Sequence, residues 1–92
     1  MANVLIRMKI LPTEVGLNIN DIVKSIKNNL EGDMQIVRVA EDPIAFGLSA
    51  AILDVVIEDR EGKMDELEER IKSSNFVSQI DVIGVSRFST KI

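Results

Sequence analysis

A chain of 92 residues is one domain's worth of polypeptide, enough for a single core and little more. Fifteen acidic against eleven basic side chains leave a net charge of -4, which argues against a dominant nucleic-acid footprint and suits a basic partner surface. Cysteine and histidine are both absent. That removes disulfides, thiolate metal sites and cysteine nucleophiles, together with the commonest acid-base catalyst and transition-metal ligand, so the chain reads as a non-enzyme needing no cofactor and no metal.

The hydrophobic fraction of 46% and charged fraction of 28% belong to an ordinary globular chain. The longest apolar stretches, Leu48 to Leu53 and Val55 to Ile57, are separated by Asp54 and are too short to span a bilayer. Met1 to Lys9 lacks the basic region and apolar core of a secretory signal, which makes the cytoplasm the expected location.

In chain order, Val4, Ile6, Met8 and Ile10 alternate with Leu5, Arg7, Lys9 and Leu11, the period of a strand with one face buried. Pro12 ends it and Gly16 helps the chain turn. Ile19, Ile22, Val23, Ile26 and Leu30 recur at helical spacing after candidate caps Asn18 and Asn20, and Gly32 is the stop. Met34 to Ala40 reads as a second strand.

Asp42 to Leu48 then interrupts the apolar pattern, so a single bent turn is expected there, shaped by the fixed φ of Pro43 and the freedom of Gly47. Phe46, a large ring in an aromatic-poor chain, is either a plug beneath that turn or a residue offered to a partner. Leu48 to Ile57 is apolar on both faces and therefore belongs at the centre of its sheet. Asp54, on that strand, asks for a cross-strand cation from Arg7, Lys9 or Arg38.

After the charged loop Glu58 to Lys63, Asp65 with Glu68 has the spacing of a capping box opening a second helix, whose core face is Met64, Leu67 and Ile71. Its acidic face, Asp65, Glu66, Glu68 and Glu69, lacks the spacing of a calcium loop and reads as a solvated face. Ser73 to Asn75 breaks the helix, Phe76 to Val85 is a final strand, and Ser86 to Ile92 is a short basic tail. The order strand, helix, strand, strand, helix, strand predicts an α+β ferredoxin-like sandwich. It has a four-stranded antiparallel sheet, both helices on one face and the other face open.

Four stretches carry a resemblance: Pro43-Ile44-Ala45-Phe46-Gly47-Leu48, Val55-Val56-Ile57-Glu58-Asp59, Met64 to Ile71, and Phe76-Val77-Ser78-Gln79-Ile80-Asp81-Val82. Together they resemble the nucleotide-exchange domain of elongation factor 1-beta, in its short archaeal form. The resemblance implies one guanine-nucleotide exchange domain over residues 1 to 92, monomeric alone, acting in translation on the GTPase elongation factor 1-alpha and its GDP. It implies no direct contact with nucleic acid or membrane. By the same resemblance, Pro43 and Gly47 shape a loop that presses Phe46 into the partner. A basic residue near the C-terminus, Arg87 in a near-gapless alignment or Lys91 in the literal ending, intrudes near the partner's magnesium. Other uses of the fold are a small-ligand regulatory module, an RNA-binding sheet and a metal-dependent hydrolase. The Phe46 stretch does not suit the first; the second lacks stacking aromatics and the third lacks histidine and cysteine.

Overall fold

The computed structural model describes residues 2 to 88. Its elements are β1 (Asn3–Pro12), α1 (Ile19–Asn29), β2 (Gln35–Ala45), β3 (Leu48–Glu58), α2 (Lys63–Lys72) and β4 (Val77–Phe88). The four strands form one antiparallel sheet in the order β2-β3-β1-β4. This is the ferredoxin-like arrangement, with β1 and β3 central and β2 and β4 at the edges.

The core lies between the sheet and the two helices. Ile6, Met8 and Ile10 of β1 meet Ala51, Leu53, Val55 and Ile57 of β3, and Ile22, Ile26, Leu67 and Ile71 close over them from α1 and α2. The alternation in β1 and the helical spacing in α1 and α2 therefore select one buried face each. Every fully buried leucine or isoleucine there contributes roughly 1.5–3 kcal/mol. On α1, Asn18 caps the helix as expected, its side chain accepting from the backbone N–H of Asn20. The capping box expected for the second helix is a correction: Asp65 lies inside α2, whose N-cap is Gly62 at φ 85°, with no side-chain cap. The helix start is tied down instead by Lys63, which is buried and donates to Asp33 Oδ2 at 2.6 Å.

Two strands are longer than their sequences suggest. β2 continues through Asp42, Pro43 and Ile44 to Ala45, so the bend is confined to Phe46 and Gly47. Pro43 is tolerated because β2 is an edge strand, where a missing N–H interrupts no ladder on the outer side. β4 likewise runs past Val85 to Phe88, pairing with β1 as far as Asn3. The hidden cause is a set of four register shifts, each placing one extra residue on an outer strand: Val37 and Ile44 on β2, Ser78 and Ile83 on β4. Such bulges break the period of two and turn a side chain out of the alternation. Val37, Ile44 and Ile83 are accordingly exposed.

Candidate partner-binding site

β2 and β3 are joined by the two-residue loop Phe46-Gly47, closed by the pair Ala45 and Leu48. Both loop residues have positive φ, 54° at Phe46 and 80° at Gly47. This is what a type I′ turn requires, and it matches the twist of the flanking strands. Glycine meets that requirement without strain, but phenylalanine does not. A non-glycine residue in the left-handed region costs roughly 1–2 kcal/mol, and the ring recovers none of it by burial, since Phe46 is 95% exposed. The tip is braced from one side, because a Cβ at Gly47 would stand 3.1 Å from Cγ1 of Val15 in the β1–α1 loop.

Of the two openings left by the sequence, the outward ring is the one the structure takes. Around it stand Val15 and Ile44, both about half exposed. Beside it runs a cleft of about 400 Å³ lined by Lys9, Leu11, Ile44, Leu48 and Asp81, among others. Val15 carried no signal in the sequence, and Ile44 entered only as part of the stretch from Pro43 to Leu48. Ile44 is a bulge residue of β2, and Val15 reaches the hairpin because the β1–α1 loop folds back to it.

Pro43 and Gly47 flank the ring, Pro43 paired with Ser49 in the sheet and Gly47 in the turn itself. Arg87 is elsewhere. It is exposed on β4 opposite Val4, at the beginning of β1, whereas the Phe46 turn lies beyond the end of β1. The register separates them by about ten residues of strand, or roughly 33 Å at ~3.3 Å per residue. Phe46 and Arg87 thus occupy opposite ends of the sheet. Lys91 lies outside the described residues.

Asp54 finds its cation in Arg7, one of the three candidates. Arg7 Nε donates to Oδ1 at 2.8 Å and Nη2 to Oδ2 at 3.0 Å, a bidentate pair on the open face of the sheet. The hydrogen bonds from Arg7 hold the Asp54 carboxyl below its ordinary value; burial opposes them, and the charges of Arg7 and then Arg38 add to them. The nearly buried Asp54 is therefore a structural anchor. Among the described residues no cluster of acids, histidines or cysteines could hold a metal ion. No described helix is long and apolar enough to cross a membrane.

Fold and site together define a ferredoxin-like sandwich that displays an exposed aromatic knob in a strained turn. Solved structures with little sequence similarity share the fold. A de novo designed protein, Foldit4, superposes with a TM-score of 0.57 at 12% identity over 97% of this chain and 99% of its own. The C-terminal domain of the MgtC protein from Mycobacterium tuberculosis gives 0.56 at 9% identity over 98% and 90%. Similarity this low speaks to architecture alone.

The family is specific. Residues 5 to 88 match the model of the EF-1 guanine nucleotide exchange domain, and the chain belongs to that family. Proteins named elongation factor 1-beta resemble it along almost their whole length. The one from Hyperthermus butylicus is 40% identical over 97% of this chain and 98% of its own. That from Thermoplasma acidophilum is 37% identical over 94% and 98%, and that from Saccharolobus islandicus 38% over 95% and 97%. Membership supports a translation elongation factor role in guanine-nucleotide exchange, and with it the archaeal character of the sequence.

Proposed function

We propose that residues 1 to 92 act as one guanine-nucleotide exchange domain that releases GDP from elongation factor 1-alpha, with Phe46 as the principal contact. The observation that carries this reading is a phenylalanine held fully exposed in a backbone conformation that favours glycine. Such strain persists where the surroundings impose it and clusters at functional contacts, and family membership names the function it would serve.

The domain does no bond chemistry. An exchange factor accelerates release only if it binds the nucleotide-free partner more tightly than the GDP-bound one, since binding and release are linked. Phe46 supplies contact with the partner's nucleotide-binding domain, and Pro43 and Gly47 fix its direction. Arg87 or Lys91 supplies positive charge where the partner's magnesium neutralises nucleotide phosphate, which weakens the hold on GDP. With Arg87 some 33 Å from Phe46 by strand count, these are two separate contacts. The domain would lie lengthwise across its partner, and the aromatic would act at a distance from the ion.

The test is release of a fluorescent GDP analogue from purified elongation factor 1-alpha. Catalytic amounts of this protein should accelerate release strongly, and Phe46→Ala should lose about thirtyfold or more of the gain, the scale of an interface hot spot. Unaltered release with the wild-type chain overturns the function. Full activity in Phe46→Ala overturns the role of the ring.

A further inference from the structure

Three charged side chains form a row across the open face of the sheet. Arg7 on β1 and Arg38 on β2 both stand opposite Asp54 on the central strand β3. Asp54 has both oxygens engaged by Arg7 through Nε and Nη2, and among the described residues Nη1 of Arg7 has no acceptor. Arg38 is exposed, and among the described residues it enters no side-chain hydrogen bond and no ion pair. Between the two arginines is a recess of about 110 Å³, walled by Arg7, Arg38 and Asp54 and completed by Ala40 and Ile52.

The charges identify what fits. Two guanidinium groups and one carboxylate leave the row one positive charge in excess, on a chain whose net charge is -4. A single carboxylate balances it, and a planar guanidinium presents the paired donors a carboxylate accepts. A polyanion is disfavoured, because Asp42 and Asp81 stand on the same sheet face, opposite Ala50 and Lys9. Asp54 holds Arg7 as one fixed wall, and Arg38 is the other.

We propose that this recess docks one acidic side chain, an aspartate or glutamate, of the protein partner, with Arg38 as its main contact. The identity of that partner rests on the exchange reading above, while the chemistry of the recess stands on its own and is tested separately.

The first arm follows the arginine Nε–H signals of isotope-labelled protein by NMR while sodium acetate replaces sodium chloride at constant ionic strength. Arg38 and Arg7 should shift in a saturable way, with Arg60 as the reference outside the recess, and Arg38→Ala should abolish the response at Arg7. A response at Arg38 no different from that at Arg60 overturns the recess, and stronger saturation by phosphate than by acetate overturns the carboxylate assignment. The second arm measures GDP release from elongation factor 1-alpha at subsaturating protein. Arg38→Ala should slow it about tenfold, the scale of one charge-assisted hydrogen bond, Arg38→Glu should slow it further, and Arg38→Lys should restore it in part. The urea midpoint of Arg38→Ala should fall far less than that of Arg7→Ala, since among the described residues Arg38 enters no side-chain hydrogen bond or ion pair and adds only its charge beside Asp54. Acetate saturation with unaltered exchange in both Arg38→Ala and Arg38→Glu overturns the assignment to the partner and leaves the role of Phe46 standing. A wild-type chain inactive toward elongation factor 1-alpha overturns the exchange reading, and the acetate titration still decides the recess.

Discussion

On the proposed reading, Phe46 sets folding against function within one side chain. Its φ of 54° suits asparagine or glycine at the first central position of a type I′ turn, so Phe46→Asn should raise stability by roughly 1 kcal/mol while abolishing the exchange gain. Urea unfolding and GDP release on the same preparation would check this, and a destabilised Phe46→Asn would show that the ring supports the hairpin. Arg7 and Asp54 present the opposite case, a polar pair that serves the fold. Because Arg7 holds the folded-state pKa of Asp54 below its unfolded value, the pair stabilises fully above about pH 4, and the contribution is lost as pH falls through the folded value. Arg7→Ala should therefore lower the urea midpoint at pH 7, more than Arg38→Ala does, and the deficit should shrink below about pH 4. The Asp33 carboxyl, also lowered, first by its hydrogen bond from Lys63, is unaltered in both proteins and cancels from the comparison.

At the level of elements, the two helices begin by different devices. α1 uses the Asn18 side chain, whereas α2 relies on Gly62 in the left-handed region and on Lys63 pinned to Asp33. Gly62→Ala should cost about 1 kcal/mol, although no described residue beyond its two chain neighbours comes within 4 Å of the added carbon. Gly32→Ala, equally open and without a positive φ, should be neutral or slightly stabilising; the two urea midpoints make the comparison. The elements themselves were legible because burial imposes a period on β1 and α1 and a continuous apolar run on β3. The cap of α2 was not, since Asp65 and Glu68 have the spacing of a capping box yet sit within the helix. The ends of β2 and β4 were not legible either. Val37, Ile44, Ser78 and Ile83 each add a residue out of phase, and Pro43 looks like a strand breaker until its strand is known to lie at an edge.

For the whole molecule, what sequence could not supply was distance. Phe46 could be read as a contact and Arg87 as a candidate cation, but only the antiparallel register of β1 with β3 and β4 sends them to opposite ends. The same register gathers Arg7, Asp54 and Arg38 from three strands into one row, where the sequence offered the two arginines only as alternative partners of Asp54. Separation on this scale has a measurable result: with no shared contacts, the losses in exchange from Phe46→Ala and Arg87→Ala should combine nearly additively in free energy, within about 0.5 kcal/mol. Substitution is the cleaner probe of Arg87, since truncation after Val85 would also strip three paired residues from β4. A last consequence follows from the displaced residues on the two outer strands. They leave no regular run longer than Arg38 to Pro43 on β2, and the stretches on β4 are shorter still. A foreign strand seeking to zip onto either margin would lose its footing within a few residues. The margins of the sheet are thus interrupted where an added strand would need an unbroken ladder, which disfavours recognition by strand addition relative to recognition through side chains.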